Sequence, residues 1–289
     1  MDACKPRCIM FIDLYIAEYI ARWRNKHLLD DCLLKCIIQN KDLARLFMFL
    51  LSDKLHAYIA KVENETGRKV LIQSVQNVGL SGMMARFSEH PTHILIEVVQ
   101  VLKHDEQIEH SIAHEATHGL LAYAKGYCRI KLKHSMPILE SNSIGILATM
   151  IEDIVVNKII QENGFLPFNS KYLETVKKET KALRRNQDYY QKYQNPFKDR
   201  FMVFRYIMAW GFLKYYDLDE SSRKIIARFE NDFRLSCPKQ YKTANQIKDI
   251  LMQHNIFTAE GYCQAIRESL KLWELYNLVN INSYKSRVG

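Results

Sequence analysis

The chain has 289 residues, 48% of them apolar and 25% charged, with a formal net charge of +9. This length and composition are typical of a soluble globular protein that buries its own core. No apolar run reaches the roughly 18 residues that a membrane span needs, so we do not expect a membrane protein.

The seven cysteines do not indicate a disulfide framework, because their number is odd and no signal peptide is recognisable. We therefore expect a reducing, cytoplasmic setting. Two pairs have C-x-x-x-C spacing: Cys4 with Cys8, and Cys32 with Cys36. Structural zinc pairs usually use tighter turns, and CLLKCII reads as an apolar helix face. We expect these thiols to be buried without a metal.

The N-terminal part of the chain has helical periodicity over residues 9–24 and 29–62. Asn40 could cap the clearest part of the second stretch, and Gly67 lies just past its end. Short β-rich runs follow, and they are the only part of the chain that looks like a sheet. We predict strands near residues 69–76, 83–88 and 93–99.

The remainder is predicted to be helical. One helix covers about 105–124, and the next could be capped by Ser141, Asn142 or Ser143 and ended by Gly164. Further helical spacing follows near 170–194, 198–216, 219–235, 243–254 and 258–280. The predicted fold class is α+β, mostly α. Its parts are an N-terminal helical segment (1–65), a core (66–165) and a C-terminal helical region (166–289).

The stretch HEATH, residues 114–118, has two histidines four positions apart. On a helix, His114 and His118 share one face and can direct both imidazoles at one point. Neutral imidazole suits Zn²⁺. Glu115 lies beside that point, where a carboxylate can take a proton from a zinc-activated water. We predict a zinc site with His114 and His118 as ligands and Glu115 as the catalytic base.

A catalytic zinc normally has three protein ligands, so one more is needed. No histidine stands at the HExxHxxGxxH position, where Ala124 is found. Glu152 and Asp153 are adjacent acids in an apolar helix, which is costly unless something neutralises them. We favour Glu152 as the ligand, with Asp153 as the alternative ligand or as a partner of a ligand histidine. His134 is the next candidate.

HExxH on one helix, with a glutamate on the next helix 34 positions after His118, resembles the gluzincin metallopeptidases. These are the thermolysin-like clan and its minimal versions, the minigluzincins. The resemblance covers about residues 69–164 and implies a zincin-like core: a small sheet, an active-site helix and a glutamate helix, here flanked by helices. Many gluzincins have an aspartate four residues after the ligand glutamate, where this chain has Val156. Asp153 and Asn157 are instead four apart, so aspartate-ligand zincins are the alternative.

The resemblance implies a zinc metallopeptidase, an endopeptidase, that cleaves a protein or peptide substrate through a zinc-activated water with Glu115 as general base. It also implies that substrate adds to a sheet edge, for which THILIEV is the candidate strand. His110 is on the ligand face, but we expect a surface or packing role for it. A further donor to the transition state is expected from one of the following: Tyr123, Tyr127, His134, Tyr189 and Tyr190.

Two other functions are alternatives. One is a DNA-associated zinc protease that is recruited to nucleic acid by its basic charge. Its footprint would be the cluster Lys177, Lys178, Lys181, Arg184 and Arg185. The other is a non-catalytic regulator that keeps the zincin fold as a scaffold. The intact Glu115 disfavours the scaffold, because a scaffold does not need the base.

Overall fold

The structure is a computed structural model that describes residues 51–75, 85–99, 106–133, 136–166, 170–185 and 196–283. Predictions for residues 1–50, including both C-x-x-x-C pairs, lie outside these ranges. The described part of the chain contains eight α-helices and two small sheets. None of these helices is both long enough and apolar enough to cross a membrane. The predicted mostly helical α+β class is confirmed.

The elements are numbered here in chain order. They are α1 (Asp53–Thr66), β1 (Lys69–Val75), β2 (Ala85–Glu89), β3 (His93–Val99), α2 (Glu106–Tyr123), β4 (Cys128–Leu132), α3 (Ile138–Glu162), α4 (Ser170–Arg185), α5 (Pro196–Tyr215), α6 (Glu220–Ser236), α7 (Pro238–Gln253), α8 (Ala259–Leu272), a 3-10 turn (Tyr276–Leu278) and β5 (Val279–Ser283). The three strands predicted between residues 69 and 99 are confirmed to within two residues.

Helix boundaries differ from the prediction at three N-termini, one of which is that of α7, which begins at Pro238 and not near residue 243. The helix expected over 29–62 is not continuous, because Ser52 is extended and its side chain accepts a hydrogen bond from Leu55 N at the start of α1. Helix α3 begins at Ile138, before the three expected caps, and has no side-chain cap. The C-terminal predictions are confirmed, since Gly67 and Gly164 follow their helices with positive φ.

A second sheet was not predicted. Strands β4 and β5 pair antiparallel, with Cys128 opposite Ser283. The helix expected over 258–280 therefore ends at Leu272, and the chain returns as a strand. Each strand has only five residues. So short a segment carries little periodicity, and the two strands are far apart in the sequence. Tertiary packing therefore selects this pairing.

The first sheet has the order β1-β3-β2, so β3 is its central strand. Strand β3 pairs parallel with β1 and antiparallel with β2. The expectation that THILIEV forms the substrate-binding edge is therefore wrong, because both edges of that strand are already paired. Strand β2 is the edge strand that contacts α2.

Two apolar clusters make up the core. One joins the first sheet to α1 and α2, and includes Ile94 and Ala116. The larger one joins α3 to the C-terminal helices and the second sheet, and includes Ile154 and Phe212. Helices α2 and α3 pack against each other where the two clusters meet. The polar side chains described below lie between these two helices.

Gly119 allows α2 to approach β3 closely, because a Cβ at this position would lie 2.8 Å from Ile94 Cγ2. We expect Gly119→Ala to destabilise the protein by about 1–3 kcal/mol through overpacking. Gly145→Ala in α3 is the matched control, since nothing lies within 4 Å of its added Cβ. The control should gain about 0.5–1 kcal/mol from helix propensity. Urea unfolding of both variants tests this, and equal stabilisation by the two would contradict the close packing.

Candidate metal centre

Helix α2 presents His114 and His118 one turn apart, with their Nε2 atoms 3.1 Å from each other. The other ring nitrogens face α3. His114 Nδ1 lies 3.0 Å from Asn157 Oδ1, and His118 Nδ1 lies 2.9 Å from Glu152 Oε1. A carboxylate and an amide oxygen only accept hydrogen bonds, so both Nδ1 atoms carry the hydrogen. When both rings are neutral, as metal ligands must be, each presents an Nε2 lone pair to the space between the rings.

Asp153 completes this convergence. Its Oδ1 atom lies 3.4 Å from Nε2 of both His114 and His118. That oxygen is shielded from solvent and has no hydrogen-bond partner among the described residues. Two facing lone pairs and an anionic oxygen repel one another unless a proton or a metal ion lies among them. The residues therefore fit a metal ion, since ligands at about 2.0–2.2 Å from a tetrahedral zinc are about 3.3–3.5 Å apart.

Glu115 belongs to the same group. Ligand atoms of His114, Glu115 and His118 all lie within 4.8 Å of one another. The Oε2 atom of Glu115 accepts a hydrogen bond of 2.7 Å from Phe87 N on β2. The carboxylate is thus fixed between the histidine pair and β2. From this position it could accept a proton from a water molecule at the metal.

Glu152 lies on the far side of His118. Its Oε1 accepts from His118 Nδ1 and, at 3.3 Å, from Arg129 Nη1. Its Oε2 accepts from Tyr262 OH at 3.2 Å. Both oxygens are therefore engaged away from the Nε2 atoms. Arg129 and Tyr262 were not among the predicted site residues, and no local signal in the sequence points to them, because they come from β4 and α8.

The charges at this site depend on one another. Burial by itself would lower the pKa of His118, but the charge of Glu152 and the nearby carboxylates of Asp153 and Glu152 raise that pKa well above its usual value. Burial would raise the pKa of Glu152, yet the charges of His118 and Arg129 hold it below its usual value. Burial likewise opposes the charged form of Asp153, and the two histidines hold its pKa far below the usual range. Without a metal, a proton on His118 supplies positive charge that these carboxylates require, and a bound metal ion would take the place of that proton.

The other candidates that the structure describes, Tyr123, Tyr127 and His110, have the following contacts. Tyr123 OH donates to His90 O at the end of β2, and Tyr127 packs its ring 4.9 Å from that of Tyr262. The His110 ring lies 6.1 Å from that of His114. Burial, then the nearby His114, lowers the pKa of His110 to about 4. His134, Tyr189 and Tyr190 lie outside the described residues.

Comparison with protein-family models, with curated proteins and with solved structures gives no match. What the structure has in common with the expected gluzincin site is the His-Glu-x-x-His arrangement of His114, Glu115 and His118. The chemistry of the site therefore has to be inferred from its own geometry.

Proposed function

We propose that the protein is a zinc-dependent metallopeptidase in which His114, His118 and Asp153 hold the metal. The observation that carries this proposal is the convergence of both Nε2 atoms with Asp153 Oδ1, an atom that has no hydrogen-bond partner among the described residues. Two imidazoles and one carboxylate are a ligand set of catalytic zinc sites. Zinc, when bound, polarises a substrate carbonyl and lowers the pKa of water to about 7.

Glu115 is the proposed general base. It takes the proton of the attacking water and passes that proton to the leaving amine nitrogen. The hydrogen bond from Phe87 N holds its carboxylate in one orientation. Glu152 and Asn157 keep the hydrogen on Nδ1 of the two histidines, which directs both Nε2 lone pairs at the same point.

Among the described strands, β2 lies at an edge of its sheet, and this position supports the proposal of a peptide substrate. Phe87 N donates to Glu115 and not to β3, so its backbone N–H points away from β3. Backbone N–H groups alternate in direction along an antiparallel strand, so those of Ala85 and Glu89 also point away from β3. An extended peptide that adds to this edge would pass beside Glu115. Such an edge accepts the middle of a chain, which is why we propose an endopeptidase.

Metal analysis tests the zinc site. Protein purified without chelator or nickel resin should contain one Zn²⁺ per chain, because the three ligand atoms converge at a single point. His118→Ala is the control and should lose the metal. Folded wild-type protein that contains no zinc and takes up none would contradict the proposal.

Peptidase activity needs a separate test. New protein N-termini should be compared across cells that express the wild type or Glu115→Gln. Cleavage sites that appear with the wild type alone would identify substrates. Identical sets of N-termini in both cultures would argue against proteolysis.

A DNA-associated protease is the second candidate, and the surface of α4 favours it. The five basic residues of the predicted cluster are all exposed there. Arg184 pairs with Asp232, and within the described residues no ion pair engages the other four. DNA affinity should then fall steeply with salt. Replacing Lys177, Lys178 and Lys181 by glutamine should reduce the salt slope by about 0.9 for each phosphate that these lysines neutralise in the wild type. Salt-independent binding would exclude this candidate.

A further inference from the structure

Two buried cysteines lie next to each other near the metal centre. Cys128 is in β4 and Cys263 is in α8, and both are free. The backbone N of Cys128 donates to Cys263 Sγ at 3.1 Å, which places the two side chains next to each other. Cys128 is 2% exposed and Cys263 is 5% exposed. The pair is therefore close enough to interact chemically, and Cys263 is its more accessible member.

The two thiols differ in acidity. The Cys128 side chain has the largest effect on the pKa of Cys263, and it lowers that pKa. The Cys128 backbone N–H and the charge of Arg267 act in the same direction. Together they outweigh burial and lower the pKa of Cys263 to about 7. The Cys263 side chain and burial raise the pKa of Cys128. A partly ionised thiol beside a protonated one is the usual arrangement of an attacking and a resolving cysteine.

Each of the two cysteines is adjacent in sequence to a residue that donates a hydrogen bond to Glu152. Arg129 follows Cys128, and Tyr262 precedes Cys263. Arg129 Nη1 and Tyr262 OH both donate to Glu152, which in turn orients His118. A change in the separation of the two sulfurs would therefore displace two of the three donors to that carboxylate.

We propose that Cys128 and Cys263 form a disulfide on reaction with a hydroperoxide, and that this bond weakens zinc binding at the neighbouring site. The formation of the bond does not depend on the proposed function, whereas its effect on zinc rests on it. An S–S bond of about 2.05 Å draws the sulfurs well inside their contact distance. The resulting shift of Arg129 and Tyr262 would weaken their hydrogen bonds to Glu152. Glu152 would then orient the His118 ring less firmly.

Oxidation of the two thiols consumes one hydroperoxide. The Cys263 thiolate attacks one peroxide oxygen, the O–O bond breaks, and the other oxygen leaves as an alcohol or water after taking up a proton. Cys263 is then a sulfenic acid. The Cys128 sulfur attacks the sulfenic sulfur, the S–O bond breaks, and water leaves with the proton of the Cys128 thiol. Two thiols lose two electrons, and one peroxide gains them.

The test uses the reduced full-length protein before and after treatment with hydrogen peroxide. Peptide mapping without reductant should show a Cys128–Cys263 linkage with the loss of two hydrogens. Zinc affinity, measured by competition with a chelator, should fall about tenfold, within the effect expected for outer-shell partners. Dithiothreitol should restore it. Cys263→Ser should prevent both changes, whereas Cys237→Ser, which removes another free buried thiol, should prevent neither.

The outcomes separate the two halves of this proposal. Absence of the linkage, with oxidation found at other cysteines, overturns the thiol pair. A linkage with unchanged zinc affinity overturns the coupling to the metal. A protein that forms the linkage but binds no zinc in either redox state supports the thiol pair while contradicting the coupling and the proposed function.

Discussion

Replacing Glu115 by glutamine is expected to lower kcat for peptide hydrolysis by about 10²–10⁴-fold, the usual contribution of a positioned general base. Glutamine has nearly the same size, and its carbonyl oxygen can still accept the hydrogen bond from Phe87 N. It cannot take up a proton from water. Zinc content and unfolding temperature should therefore equal those of the wild type. The measurement is cleavage of a substrate identified from cellular N-termini, with purified proteins of equal zinc content.

Glu162→Gln is a suitable control for this experiment, because Glu162 is largely exposed at the end of α3. Its rate should equal that of the wild type. A Glu115→Gln protein that cleaves at the wild-type rate would show that this carboxylate is not the base. A variant that loses zinc would show that Glu115 acts as a ligand.

The second large effect concerns the third ligand. Asp153→Asn should weaken zinc binding more than about a hundredfold, beyond the range typical of residues that only orient a ligand. The reason is that Asp153 Oδ1 lies 3.4 Å from both Nε2 atoms and has no hydrogen-bond partner among the described residues. Glu152→Gln should weaken it by about tenfold or less, since an amide oxygen can still accept from His118 Nδ1. Competition with a chelator measures both affinities.

The two variants are nearly isosteric with the wild type, so a difference between them reports on their roles and not on packing. Unfolding of the metal-free proteins should confirm that each variant folds. A large loss for Glu152→Gln and a small loss for Asp153→Asn would assign Glu152 as the ligand, as the sequence favoured. If neither affinity changes, the third ligand lies elsewhere, and His134→Ala is the next variant to test.

The choice between Glu152 and Asp153 illustrates the limit of sequence reasoning here. Neighbouring helical residues lie about 100° apart, so a small rotation of α3 decides which acid faces α2. That rotation depends on distant contacts. Tyr262 and Arg129 engage Glu152, and an added Cβ on Gly211 of α5 would lie only 3.0 Å from Ile154, which follows Asp153. None of these contacts leaves a pattern in the sequence around the two acids.

The sequence was sufficient to predict that His114 and His118 lie on one face of a helix and that Glu115 lies beside them. These relations follow from helical geometry over five residues. It also determined the three strands of the first sheet, because each has its own β-rich pattern. Three features needed the folded chain: which acid of α3 approaches both Nε2 atoms, that β3 is central and β2 an edge among the described strands, and that β4 pairs with β5. Those outcomes depend on packing between segments far apart in the chain, where local periodicity carries no information.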